Sequence, residues 1–158
     1  VEHDHAIALQ LWTIRDAMAS DADEALRRVK AAGFRAVEVA PPPPGLTPGR
    51  LAECLSRYEL AVVSIHGDLP IPTNIDRLTR DARAFRCPKV VWHGWPRDPR
   101  FDSLAGVHAL ASACNQAGVI ARDHGLRFGL HNHWWEFEPV EGELPARLLH
   151  GLLHPDIS

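Results

Sequence analysis

The chain has 158 residues, 46% hydrophobic and 23% charged, with a formal net charge of −3. That is the composition of a globular domain large enough to bury a core, and the acidic balance excludes a general nucleic-acid binder, which would be clearly basic. No apolar run approaches the roughly 18 residues of a bilayer span. Residues 1–5 carry neither the basic nor the apolar part of a signal peptide. The three cysteines lack CxxC spacing, so the expected setting is reducing and cytoplasmic, with no membrane and no nucleic acid as partner.

A short apolar run recurs about every thirty residues, followed each time by a loop and a helical pattern. The runs are 6–12, 36–40, 60–65, 89–92 and 126–130. Short, β-branched runs between helical patterns predict buried parallel strands. The first helix is expected to be capped by Ser20 or Asp21, to carry Ala25, Leu26, Val29 and Ala32 on one stripe, and to stop at Gly33. Thr47 followed by Pro48 opens the second. Thr73 is the expected cap of the third, with Ile75, Leu78, Ala82 and Phe85 at helical spacing. A fourth runs from Asp102 or Ser103 to His124, with Gly118 as a possible break, and a short fifth spans 144–153.

Alternation of strand and helix predicts βαβ units and an α/β fold. Five units in 158 residues fit five-eighths of a (β/α)₈ TIM barrel, whose full length is about 250 residues. An open doubly wound sheet would expect a glycine-rich phosphate turn after the first strand. The sequence there is Leu-Trp-Thr-Ile-Arg at 11–15, so the barrel is favoured. The expectation is one domain over 1–158, an incomplete barrel that continues beyond its C-terminus.

Catalytic residues of such barrels gather at the carboxyl ends of the strands. Here those ends read Gln10 and Trp12, Glu38, His66 and Asp68, His93 and Trp95, then His131, Asn132 and His133. Alternation along a strand would turn His131 and His133 one way and Asn132 the other. Two imidazoles and the nearby Glu136 are nitrogen and oxygen donors that a borderline divalent metal accepts. Trp134 and Trp135 suit the walls of a pocket that packs a sugar ring, or the core beneath it.

Four motifs carry a family resemblance: Leu-Gln-Leu-Trp-Thr-Ile-Arg-Asp at 9–16, Ala-Val-Glu-Val-Ala at 36–40, Ser-Ile-His at 64–66 and His-Asn-His-Trp-Trp-Glu-Phe at 131–137. Together they resemble the sugar phosphate isomerase/epimerase group of the xylose isomerase-like TIM barrels over roughly residues 6–157. The resemblance implies a (β/α)₈ fold, one divalent metal (manganese, zinc, magnesium or cobalt) and proton transfer next to a carbonyl in a small sugar, sugar phosphate or polyol. It implies Gln10, Trp12, Glu38, His66, His93, Asn132 and Trp134 as substrate-binding residues and His131, His133 and Glu136 as metal candidates. Glu136 is also the candidate catalytic group. His131 stands where many members carry glutamate.

The resemblance further implies that remaining ligands and a base lie on later strands, so this fragment is expected to be inactive alone. Two other readings compete: an abasic-site endonuclease-like DNA-repair enzyme, and a non-catalytic half-barrel binding module. Five strands leave two sheet edges, which predicts self-association. His3, His5, His150 and His154 are expected to have no ligand role.

Overall fold

The computed structural model describes residues 7–158, so His3, His5 and the start of the first predicted strand lie outside the described residues. The strands are β1 (Ala8–Gln10), β2 (Ala36–Val39), β3 (Ala61–Gly67), β4 (Lys89–Trp92) and β5 (Arg127–Leu130). The helices are α1 (Arg15–Ser20), α2 (Ala22–Ala31), α3 (Pro48–Arg57), α4 (Ile75–Ala84), α5 (Leu104–Asp123) and α6 (Pro145–Leu152). The strands are parallel and follow chain order in the sheet, β1-β2-β3-β4-β5. The chain divides into two compact units, one of residues up to 66 plus 79–89, the other of 67–78 plus 90–158.

In the first unit, β1 is only three residues long. The apolar run continues past it into a 3-10 turn, Leu11–Ile14, and then α1. Leu11 is buried within that turn. An apolar run does not by itself distinguish a strand from a tight helical turn, and the predicted strand over 6–12 was too long for this reason. Asp21 ends α1 and opens α2, its side chain accepting the Glu24 N–H. Ala25, Leu26 and Val29 form the buried stripe of α2, and Gly33 leaves the helix at a φ of 92° that favours glycine. Thr47 caps α3 by accepting the Arg50 N–H, with Pro48 in the first turn.

The register of this unit decides which side chains meet. Gln10 pairs with Glu38 across β1 and β2. Val37 pairs with Val62, but Glu38 pairs with Ser64, because β3 carries one extra residue there. A bulge of this kind turns the following side chains to the other face. Ser64, and His66 two residues on, therefore lie on the Glu38 side of the sheet.

In the second unit, Gly67 permits close packing: a Cβ there would come within 2.9 Å of Leu78 Cδ2 and 3.4 Å of Val90. α4 starts at Ile75, and the expected Thr73 cap gives way to Asn74. The Asn74 side chain accepts the Ile71 N–H, and its carbonyl accepts from Leu78. Ser103 caps α5 by accepting the Gly106 N–H. The helix then runs unbroken for 20 residues, with Val107, Leu110, Ala111, Cys114, Ala117 and Ala121 buried. Gly118 makes no break; it faces the side chain of Ile157. By length and composition α5 could cross a membrane, but its buried stripe packs against β5 and α6.

The residues after α6 return to β5. Ser158 donates its N–H to Phe128 and accepts from the N–H of Leu130 (2.8 Å), the parallel ladder pattern around Gly129. The outer edge of β5, expected to lack a neighbour, is thus partly covered by the chain's own last residue.

Candidate functional site

At the carboxyl ends of β1 to β3, Glu38 collects three donors. Gln10 Nε2 donates to its Oε1 at 2.8 Å, and His66 Nε2 lies 2.8 Å from the same oxygen. Ser64 Oγ donates to Oε2. These bonds hold the Glu38 carboxyl down at about 2: the His66 ring donor contributes most, and Ser64 and Gln10 add to it against the opposing push of burial. The proton on His66 therefore sits on Nε2, directed at Glu38. His66 and Ser64 are both buried. Ser64 is the member of this group that sequence reasoning missed. The Ser-Ile-His motif at 64–66 contains it, but only the histidine of that motif was among the expected site residues.

Trp12 is not on a strand. It occupies the 3-10 turn after β1, 52% exposed. The Arg15 guanidinium lies 5.0 Å above its ring and donates to its backbone carbonyl. It stands outside the hydrogen-bonded group around Glu38, so its expected place at the end of β1 is corrected.

In the second unit, Asp68 pairs with Arg77 at 2.6 Å. His93 Nε2 lies 3.5 Å from the other Asp68 oxygen. His93 Nδ1 accepts the Trp95 N–H at 3.0 Å, which leaves the ring proton on Nε2, facing Asp68. Arg77, on α4, was not among the expected site residues; an arginine on a helix surface carries no signal that a strand-end aspartate awaits it.

β5 ends at Leu130, so alternation along a strand does not govern residues 131–133. The His131 N–H still bonds to Trp92, one step beyond the strand. The rings of His131 and His133 meet edge to face at 5.0 Å, an approach that the loop, not a strand, brings about. Asn132 is exposed. The two tryptophans separate in role: Trp134 is 64% exposed, whereas Trp135 is buried and stacks on His133 at 4.0 Å. Glu136 is buried too, and its Oε2 accepts the His133 backbone N–H at 2.8 Å. That bond closes the loop into the 3-10 turn Trp135–Phe137.

No family model matches the chain, and no curated protein matches it by sequence. Solved structures do match. A sugar phosphate isomerase/epimerase from Parabacteroides distasonis is 16% identical with a TM-score of 0.72, over 99% of this chain and 65% of that one. A xylose isomerase-like TIM barrel protein from Mycobacterium smegmatis, in complex with magnesium, is 17% identical with a TM-score of 0.60, over 98% and 63%. An AP endonuclease, family 2, from Brucella melitensis is 16% identical with a TM-score of 0.61, over 96% and 66%. Likeness at these identities establishes the fold: parallel strands alternating with helices, as in part of a xylose isomerase-like TIM barrel. The chain spans 63–66% of the lengths of these three structures.

Proposed function

We propose that this chain contributes to a divalent-metal-dependent isomerase or epimerase that moves a proton next to a carbonyl in a small sugar, sugar phosphate or polyol. The observation that carries the reading is the group of Gln10, Glu38, Ser64 and His66. It is an ionised carboxylate fixed by three donors, at the strand ends where this barrel architecture keeps its chemistry. The likeness to a sugar phosphate isomerase/epimerase supports the same reading.

The donor chemistry, imidazole nitrogen with carboxylate oxygen, fits a divalent ion, with manganese, zinc, magnesium and cobalt as the candidates. His131 and His133 in one unit offer imidazole nitrogens, and Glu38 with His66 in the other offers oxygen and nitrogen. When bound, such an ion supplies polarisation of a carbonyl and its neighbouring hydroxyl. A carboxylate held near 2 is a weak proton acceptor at neutral pH. Glu38 therefore orients His66 and accepts hydrogen bonds, while the proton is moved by another group. Gln10, His93 and Asn132 hydrogen-bond hydroxyls, and the open indole face of Trp134 packs the carbon skeleton. A cytoplasmic setting and self-association through sheet edges belong to the same reading.

Because the chain is shorter than the proteins it resembles, binding is a more direct readout than turnover. In calorimetric titration the chain should take up one divalent ion. His131→Ala or His133→Ala should each weaken uptake by at least about tenfold. His150→Ala and His154→Ala should leave it unchanged. Equal affinity in all four variants, or uptake of none of the four ions, would remove the metal from the reading.

A second test is chemical. In D₂O with the bound ion and a panel of ketoses and sugar phosphates, any residual activity should place deuterium next to the carbonyl. The AP endonuclease likeness favours a second reading, checked by gel shift on a duplex with one abasic site. The net charge of −3 argues for no shift, and tight binding there would displace the isomerase.

A further inference from the structure

We infer that Glu136 is a positioning residue: its carboxylate sets the tautomer and angle of His133, so that the ring offers Nε2 as its basic atom. The inference goes beyond the isomerase reading and does not depend on it.

His133 is confined by its neighbours. Trp135 stacks on its ring at 4.0 Å and 14°. His131 and Trp134 meet it edge to face at 5.0 and 6.5 Å, and Trp95 lies tilted at 6.0 Å. A Cβ on Gly94 would stand 3.4 Å from Cε1 and 3.6 Å from Nδ1, so the backbone of that residue walls the same side. Packing on this many sides fixes the plane of the ring, and the Glu136 carboxylate lies on its Nδ1 side.

In that orientation Nδ1 is buried and has no hydrogen-bond partner among the described residues. The polar atom that faces it is Glu136 Oε1, 3.6 Å away. The other oxygen of the same carboxylate is already engaged, accepting the His133 backbone N–H at 2.8 Å. A separation of 3.6 Å is too long for a hydrogen bond. It is short enough for charge to decide between tautomers. A bare Nδ1 would aim its lone pair at a carboxylate oxygen, in a buried setting that water does not screen. A protonated Nδ1 would aim an N–H dipole at the same oxygen. The second arrangement is the favourable one, and it leaves the lone pair on Nε2. A carboxylate that holds one imidazole nitrogen makes the other a better base or ligand.

Glu136 was the candidate metal ligand and catalytic group from sequence. Here its oxygens face the His133 backbone N–H and the buried nitrogen of the ring, so it acts through His133.

The test is the ¹⁵N long-range spectrum of the metal-free, ligand-free full chain, with His133 signals identified by their loss in His133→Gln. The wild-type ring should carry its proton on Nδ1. In Glu136→Gln the amide oxygen can still accept the His133 N–H, but the NH₂ group then faces Nδ1 and demands a lone pair there. The proton should move to Nε2, and the two nitrogen resonances should exchange character. Should Glu136→Gln fail to fold, the wild-type spectrum decides alone. A wild-type proton on Nε2, an even mixture of tautomers, or a tautomer unmoved in a folded Glu136→Gln would overturn the inference. Because no metal or substrate is present, failure here leaves the isomerase reading untouched.

Discussion

Glu38→Ala should be about 2–4 kcal/mol less stable than the parent chain at neutral pH, by urea unfolding. The carboxylate is the shared acceptor for Gln10, Ser64 and His66. Ser64 and His66 are buried, so removing the shared carboxylate takes a charged acceptor from donors that have little access to water. Each such donor costs about 1–3 kcal/mol. Gln10 is less buried and can turn to solvent, so it adds little.

The pH dependence has a definite sign. Glu38 is lowered from 4.5 to about 2 in the folded chain, so between those values the unfolded chain takes up the proton first. Its contribution is complete above about 4.5 and is lost as pH falls toward 2. The stability gap between parent and variant should therefore be widest at neutral pH and should narrow steadily below 4.5. A gap independent of pH across that interval would mean that the ionised carboxylate is not what the three donors stabilise.

Gly106→Ala should cost about 2–3 kcal/mol, in the direction opposite to helix propensity. Within α5, alanine is ordinarily favoured over glycine by up to about 1 kcal/mol. Here a Cβ would collide with the Arg100 carbonyl oxygen and stand 2.9 Å from its carbonyl carbon. These are backbone atoms of the 3-10 turn Pro99–Asp102, and that turn is anchored. Arg100 donates twice through its side chain to Asp98, at 2.9 and 2.6 Å, and once through its backbone N–H. The guanidinium holds the Asp98 carboxyl below its usual range. Phe101, in the same turn, is 1% exposed.

The Asp98 bonds stiffen the turn and the buried Phe101 holds it in place, so it cannot retreat without unseating Phe101, and overpacking of this kind costs about 1–3 kcal/mol or more. Gly49→Ala is the matched control. It lies in the first turn of α3, with nothing within 4 Å of the added carbon, and should be neutral or slightly stabilising. Urea midpoints for the two variants measure the contrast. A Gly106→Ala chain as stable as Gly49→Ala would mean that the turn yields freely.

The sequence by itself determined the alternation of strand and helix. Hydrophobic periodicity, a cap at Ser20 or Asp21, at Thr47 and at Asp102 or Ser103, and the stop at Gly33 are local signals, each readable within one turn of chain; the structure chose Asp21 and Ser103. It also determined which strand ends are polar, because side-chain identity needs no coordinates. Tertiary structure decided what those side chains do. The extra residue in β3 puts Ser64, not Val63, opposite Glu38, and no residue in that apolar run marks the shift in advance. A register is set by pairing with another strand, which local sequence does not encode.

The 131–137 loop is the same lesson in a different form. Its residue types announced metal chemistry, and β5 was expected to carry them. The strand ends at Leu130, and the Glu136 carboxylate turns back onto the His133 backbone. Composition names the donors available. Which atom of each donor remains open is decided by burial and by the hydrogen bonds that the fold has already formed.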